Sequence, residues 1–144
     1  MKTTEPPVIV EQIFDTSITS VWNAITKRDE MIQWYFDNIP SFKPEVGFKT
    51  QFNVKAPSRD FMHLWQITEM IPVKRLVYSW NFEGLDGKSF SIFDLEEIGT
   101  QTKLTLTTKV EEDFDDAIPE FTRESCVGGW NYFIKERLKD YLNN

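Results

Sequence analysis

Residues 48–55 read Phe48-Lys49-Thr50-Gln51-Phe52-Asn53-Val54-Lys55. Phe48, Thr50, Phe52 and Val54 fall on one side of an extended chain; Lys49, Gln51, Asn53 and Lys55 fall on the other. A period of two, with one wet side and one apolar side, describes a strand that covers a core with a single face. Downstream, Phe61 to Ile71 reads as a longer strand, apolar on both sides and ended by Pro72. Arg75 to Phe82 sets Leu76, Tyr78, Trp80 and Phe82 against Val77, Ser79 and Asn81. Asp86-Gly87 is a hairpin signal. Ser89 to Glu97 follows, with Ser91, Phe93 and Leu95 on one side. Beyond the turn at Gly99, Leu104, Leu106, Thr108 and Val110 alternate with Lys103, Thr105, Thr107 and Lys109. Five strands in succession, joined by short turns, predict an antiparallel meander.

The flanks have a different period. Val8 to Phe14 is rich in β-formers and reads as a strand. Asp15, Thr16 and Ser17 then offer N-cap oxygens, and Ile18, Val21, Trp22 and Ile25 recur at helical spacing up to about Thr26. Asp29 to Trp34 reads as a second short helix. From about Thr122 to Leu142, Val127, Trp130, Ile134, Leu138 and Tyr141 fall three or four apart, with Phe133 and Leu142 widening the stripe. Gly128-Gly129 interrupts this helix at about 1 kcal/mol each against Ala, which leaves close packing or a bend as the reason. Met1–Pro7 reads as a tail. The fold class is therefore α+β: one strand, two short helices, a curved antiparallel sheet and a long C-terminal helix over its apolar face.

Length and charge narrow the function classes. The 144 residues suit one domain, so residues 1–144 read as a single unit with a 1–7 tail. Sixteen Lys and Arg against 23 Asp and Glu give a net charge of −7, which opposes nucleic acid and anionic membrane surfaces. No apolar run reaches membrane-spanning length and no signal-peptide core precedes Val8, so the expectation is a cytoplasmic protein without membrane insertion. A single cysteine, Cys126, makes no intrachain disulfide. Aromatic residues make up 15% of the chain, as a packed core or as the lining of a cavity.

The order of motifs resembles the helix-grip fold of the START-like (SRPBCC) superfamily. Locally it is similar to the branch related to the C-terminal domain of the activator of the 90-kDa heat-shock protein's ATPase. The resemblance rests on Ile18, Val21, Trp22, Ala24 and Trp34; on Pro44 and Gly47-Phe48; on Glu69, Pro72 and the run Lys74-Arg75-Leu76-Val77-Tyr78-Ser79-Trp80; on Phe93, Leu95, Gly99 and residues 102–106; and on Gly129-Trp130 and Leu138. The chain departs from the family pattern at Ser17, where members often have Pro, and at Trp65, where they often have Gly. A ring at position 65 either shrinks a cavity or supplies a stacking surface. The superfamily implies a fold shared by lipid, hormone and polyketide binders and by cyclases. The activator itself has a separate N-terminal domain that these residues do not include.

Candidate site residues follow from the inward-facing aromatic set: Trp34, Phe52, His63, Trp65, Tyr78, Trp80, Phe93, Trp130 and Phe133. His63, the only histidine, is read either as a polar handle in an apolar pocket or as a satisfied strand residue. Cys126 reads as a small buried side chain. Glu111, Glu112, Asp113, Asp115 and Asp116 lack the alternating ligand spacing of a calcium loop and read as a solvated connection. Asp60 and Glu69, nine apart on one strand, should point to opposite faces. No catalytic, metal or cofactor motif is present in the chain. The leading expectation is a non-catalytic module holding a hydrophobic small molecule between sheet and helix. The alternatives are a chaperone-linked interaction domain and a cyclase- or hydrolase-type enzyme using the same cavity.

Overall fold

The computed structural model describes residues 1–143; Asn144 lies outside the described residues. β1 (Val8–Phe14) is followed by α1 (Ile18–Thr26) and α2 (Arg28–Trp34). The meander is β2 (Lys49–Lys55), β3 (Asp60–Ile71), β4 (Arg75–Phe82), β5 (Lys88–Ile98) and β6 (Gln101–Glu112). All pairings are antiparallel and the six strands lie in the order β1-β6-β5-β4-β3-β2. β1 and β2 therefore occupy opposite edges, and α1 and α2 carry the chain between them. A 3-10 turn (Pro119–Phe121) leads into α3 (Arg123–Trp130). Helical dihedrals persist at Asn131 and Lys139, so α3 runs on through π-type turns (Asn131–Leu138) into α4 (Lys139–Leu142). This is the helix-grip arrangement.

Local chemistry accounts for the boundaries. Ser17, standing where Pro is common, caps α1 by accepting from the Ser20 amide at 3.2 Å. Thr122 caps α3 in the same way through the Ser125 amide. α2 is tied to α1 by Trp34 Nε1, which donates to the Ala24 carbonyl at 2.8 Å, and to the last helix by Arg137, which donates to the Gln33 carbonyl at 2.9 Å, and Tyr141, which donates to Glu30 at 3.0 Å. Gly87 has φ +112°, and a Cβ there would come within 2.3 Å of the Phe114 ring. The turn needs glycine for its backbone and for the ring seated on it.

The inward residues of β4, β5 and β6 meet Trp130, Ile134 and Leu138 from the helix in the main core. A second cluster of Met1, Phe61, Phe114, Ile118 and Phe121 closes one end of the sandwich. Residues 1–7 form no helix or strand, and they are tied down. The terminal ammonium donates to Asp116 at 2.9 Å and to the Phe121 carbonyl at 2.6 Å, the Thr3 amide donates to Asp113 at 2.6 Å, and Arg123 donates to the Pro6 carbonyl. The acidic run thus differs from a plain solvated connection. Glu111 and Glu112 finish β6, while Asp113 and Asp116, though exposed, anchor the first residues.

One face assignment is reversed. A bulge between Ile67 and Glu69 shifts the register of β3 against β4. The extra residue inverts the alternation beyond it. Glu69 pairs across with Val77 and reaches Arg75 on the outer surface, so it shares the outer face with Asp60. The two carboxylates still form no pair, because about 30 Å of strand at ~3.3 Å per residue separates them.

Candidate functional site

Between the second cluster and the helix lies a cavity of about 290 Å³. Its sheet wall comes from the inner face: Phe61 and His63 of β3, Trp80 and Phe82 of β4, Ser89 and Ser91 of β5, and Thr108 of β6. Its helix wall is Ser125, Cys126, Gly129, Trp130 and Phe133. Phe36, just past α2, and Val54 of β2 complete one side, and Met1, Phe114 and Phe121 the far end. Phe36, Trp80, Phe82 and Phe133 are each half-buried although they point inward. Glu120 stands at the rim, its carboxylate accepting from the Ser58 hydroxyl at 2.6 Å.

The predicted residues divide into two groups. His63, Trp80, Trp130 and Phe133 line the cavity. Trp34, Phe52, Trp65, Tyr78 and Phe93 are buried beside it in a continuous aromatic layer. Trp34 stacks on Tyr35 at 4.6 Å between ring centres, and Tyr35 stacks on Trp65 at 5.4 Å. Phe52 stacks on His63 at 5.1 Å, and Phe93 on Tyr78 at 5.7 Å. The four on strands face inward as their alternation requires, Trp34 is buried from its helix, and the rings stacked on them are their neighbours in this layer. Trp65 belongs to this layer, so its ring packs the interior rather than the cavity wall. The unfilled space lies toward the end of the sandwich that the second cluster closes. Phe36, Phe82, Phe114 and Phe121 at that end escaped the sequence reading. Phe82 alone carried a signal, since it continues the Leu76-Tyr78-Trp80 alternation.

Apart from the Met1 ammonium, which is engaged by Asp116, and the Glu120 carboxylate, the wall is uncharged. Burial pushes the His63 imidazole down to about 4, partly offset by the bond from its Nδ1 to the Phe61 carbonyl, so the ring is neutral at pH 7. Burial pushes the Cys126 thiol up, which keeps it protonated. His63 and Cys126 share no hydrogen bond among the described residues, so neither activates the other. The Tyr35 and Tyr78 hydroxyls bond to each other at 2.7 Å in the packed layer, and burial raises both well above the usual phenol range. No group of three or more His, Cys, Asp or Glu stands together in metal-binding geometry among the described residues.

Several polar atoms on the wall are left over. Trp80 Nε1 and Ser91 Oγ are buried with no partner in the protein, and Thr108 Oγ1 has only the weak contact of the Cys126 thiol. Ser91 and Thr108 sit directly opposite each other across β5 and β6. Ser89 reaches the Trp80 carbonyl at a long 3.5 Å. The helix wall is equally spare. A Cβ on Gly128 or Gly129 would meet nothing within 4 Å, so close packing is not why these glycines are there.

Beyond the geometry, a family model described as activator of Hsp90 ATPase homolog 1-like protein matches residues 15–143. The chain belongs to this family. Its fold recurs in solved structures. Protein MLL2253 from Mesorhizobium loti is 25% identical, with a TM-score of 0.77 over 96% of this chain and 97% of that one. Protein CV1439 from Chromobacterium violaceum is 17% identical, with a TM-score of 0.79 over 96% and 97%. DynU16, from the dynemicin biosynthetic locus, is 21% identical with a TM-score of 0.77. The match covers 97% of this chain but 48% of DynU16, so the chain spans about half that protein's length. No curated protein matches the sequence. As a member of the activator-homologue family the chain has a START-like domain, and none of its described helices is long and apolar enough to cross a membrane.

Proposed function

We propose that residues 1–144 form one binding module, working in the cytoplasm, that holds a small hydrophobic molecule between the inner sheet face and the last helix. The observation that carries this reading is the cavity of about 290 Å³ faced by half-buried rings, beside an interior otherwise closed by stacked aromatics. Pockets for small molecules are mostly apolar with a few placed polar groups, and this wall has that composition. His63, Trp80, Trp130 and Phe133 are the sequence-derived residues assigned to contact, and Trp34, Phe52, Trp65, Tyr78 and Phe93 shape the wall from behind. The neutral His63 and protonated Cys126 favour binding over acid–base or nucleophilic chemistry.

Native mass spectrometry on protein from its own host tests the reading. A stoichiometric small molecule, retained under gentle conditions and released on denaturation, is the expected result. Bare protein mass, together with no binding of added apolar aromatics, would refute it. The family match favours one second reading, association with a 90-kDa chaperone. Absence of that chaperone from a pull-down with the intact chain would remove it.

A further inference from the structure

We propose that the outer face of the sheet, across β2 to β5, is a docking site for an extended acidic peptide segment of a partner protein. This face is turned away from the cavity, so the proposal stands independently of the small-molecule reading.

The strand register builds the site. Lys49 of β2 pairs with Gln66 of β3, and Gln66 with Ser79 of β4. One step along, Gln51 pairs with Leu64, Leu64 with Asn81, and Asn81 with Lys88 of β5. Along their strands these residues alternate with the inward Thr50, Trp65, Trp80 and Ser89, so both rows stand on the outer face. The two rows line one groove of about 560 Å³, with Pro40 and Ser41 as its side wall. Gln51 and Gln66 are exposed and Asn81 is half-buried, and none of the three side-chain amides is hydrogen-bonded among the described residues. The free edge of β2 is partly blocked, because Asn38 donates to the Asn53 carbonyl at 2.6 Å. A partner is thereby directed over the face rather than onto the edge as a seventh strand.

Charge, chemistry and spacing then select the occupant. The chain carries a net charge of −7, yet no Asp or Glu lines this groove and two lysines do. Lys49 forms no ion pair among the described residues. Lys88 has a 3.5 Å contact with Glu111 between two half-exposed groups, a weak pair that a second carboxylate can join. Complementary charge therefore calls for carboxylates. The free amides call for a peptide backbone, since Gln and Asn each offer a donor and an acceptor, as a peptide unit does. Three inter-strand steps of ~4.8 Å and one two-residue step of ~7 Å place the Lys49 and Lys88 Cα atoms roughly 16 Å apart. In an extended peptide, residues i and i+4 share a side and lie about 13 Å apart. The lysine stems cover the difference, so the groove fits two carboxylates four residues apart. A polyphosphate strand, charged at every residue, meets more repulsion from the acidic chain than such a peptide does.

The test titrates the intact protein with the capped peptide Gly-Glu-Ser-Thr-Ser-Glu-Gly and follows side-chain amide resonances. Gln66 and Asn81 signals should shift saturably in the millimolar range or below. Lys49→Gln and Lys88→Gln should each weaken binding about threefold, within the worth of one exposed charge pair. The double variant should lose about tenfold, because charges this far apart act additively. Replacing both peptide Glu by Gln should cost a similar factor. Lys135→Gln, an exposed lysine of the last helix outside the groove, should change nothing. Both groove lysines face solvent, and an unchanged Tm verifies that their variants fold. Unmoved Gln66 and Asn81 signals in the unsubstituted protein would overturn the site whatever the variants do. Equal binding of the Gln peptide, or equal weakening by Lys135→Gln, would remove the charge argument and the proposal with it. Tighter binding of oligothymidylate than of the peptide would refute the peptide as occupant in favour of a polyphosphate chain.

Discussion

Replacing Gly129 by alanine should make this protein more stable, and the structure supplies the magnitude. Gly129 lies inside a continuous helix, where glycine costs about 0.8–1.0 kcal/mol against alanine. A new Cβ meets no atom within 4 Å, so no packing strain offsets that gain. At about 2.1 cal/mol/K per residue, 144 residues give an unfolding entropy of about 0.3 kcal/mol/K, and about 1 kcal/mol raises Tm by about 3 °C. Gly128→Ala should give a similar rise, because its Cβ is equally free. The two differ in ligand binding. Gly129 lines the cavity and Gly128 does not. Gly129→Leu should therefore keep the fold and weaken the binding of an added apolar aromatic such as naphthalene, while Gly128→Ala leaves that binding unchanged. Calorimetric melting and titration of the three variants are the assays. A lower Tm for Gly129→Ala would refute the reasoning, since it would mean that the methyl meets the sheet and that the open wall is absent.

Other residues give sharper chemical tests. His63 is held at about 4 by burial against about 6.5 when unfolded, so the unfolded chain binds the extra proton. Its contribution is present above about pH 6.5 and is lost as pH falls toward about 4, most steeply midway between the two, where the slope approaches roughly 1.4 kcal/mol per pH unit. Urea titrations from pH 7 to 5 should show this slope, and His63→Gln should flatten it; an unchanged slope would refute the assignment. Tyr35→Phe should cost about 1–3 kcal/mol because it strands the buried Tyr78 hydroxyl, while Tyr35→Phe/Tyr78→Phe should recover most of the loss. Additive losses in the double-mutant cycle would show that the hydroxyl pair is not a unit. Gly87→Ala should destabilise by at least about 2 kcal/mol, from a backbone at φ +112° and a collision with Phe114; a neutral melting temperature would contradict both causes.

The fold was legible because each element declares its period. Val8–Phe14, Ile18–Thr26 and Arg75–Phe82 end where β-formers, cap oxygens and prolines said they would. What escaped were features that depend on one residue's hydrogen bonds. The bulge after Ile67 has no marker in a run of mixed apolar residues, yet it reverses the face of Glu69. The π-type turns from Asn131 keep the three-or-four spacing of the apolar stripe, so periodicity could not separate them from α-helix. The site was half legible. Alternation in the strands, and three-or-four spacing in the helices, finds which side chains face inward, and the nine chosen aromatic and histidine positions lie in the main core or against it. It cannot tell which of them have a neighbour in front. That depends on Phe36, Phe114 and Phe121, which come from loops and a 3-10 turn without period.

The position of the cavity nevertheless has a cause in the sequence. Across β5 and β6 the inward pairs run Leu95 with Leu104, Phe93 with Leu106, then Ser91 with Thr108. On the facing helix, Leu138 and Ile134 give way toward its start to Gly129, Cys126 and Ser125. Both walls change from large to small side chains, and the small sets share one space. Either change alone would leave a dent that the opposite wall could fill. Together they leave a void, and each is costly: glycine inside a helix, and buried hydroxyls without partners. A chain selected only for stability would fill this gap with a Leu at position 129 and remove the unpartnered hydroxyl with a Val at position 108. Two independent costs at opposite walls of one space fit a site whose stability is completed by what it binds.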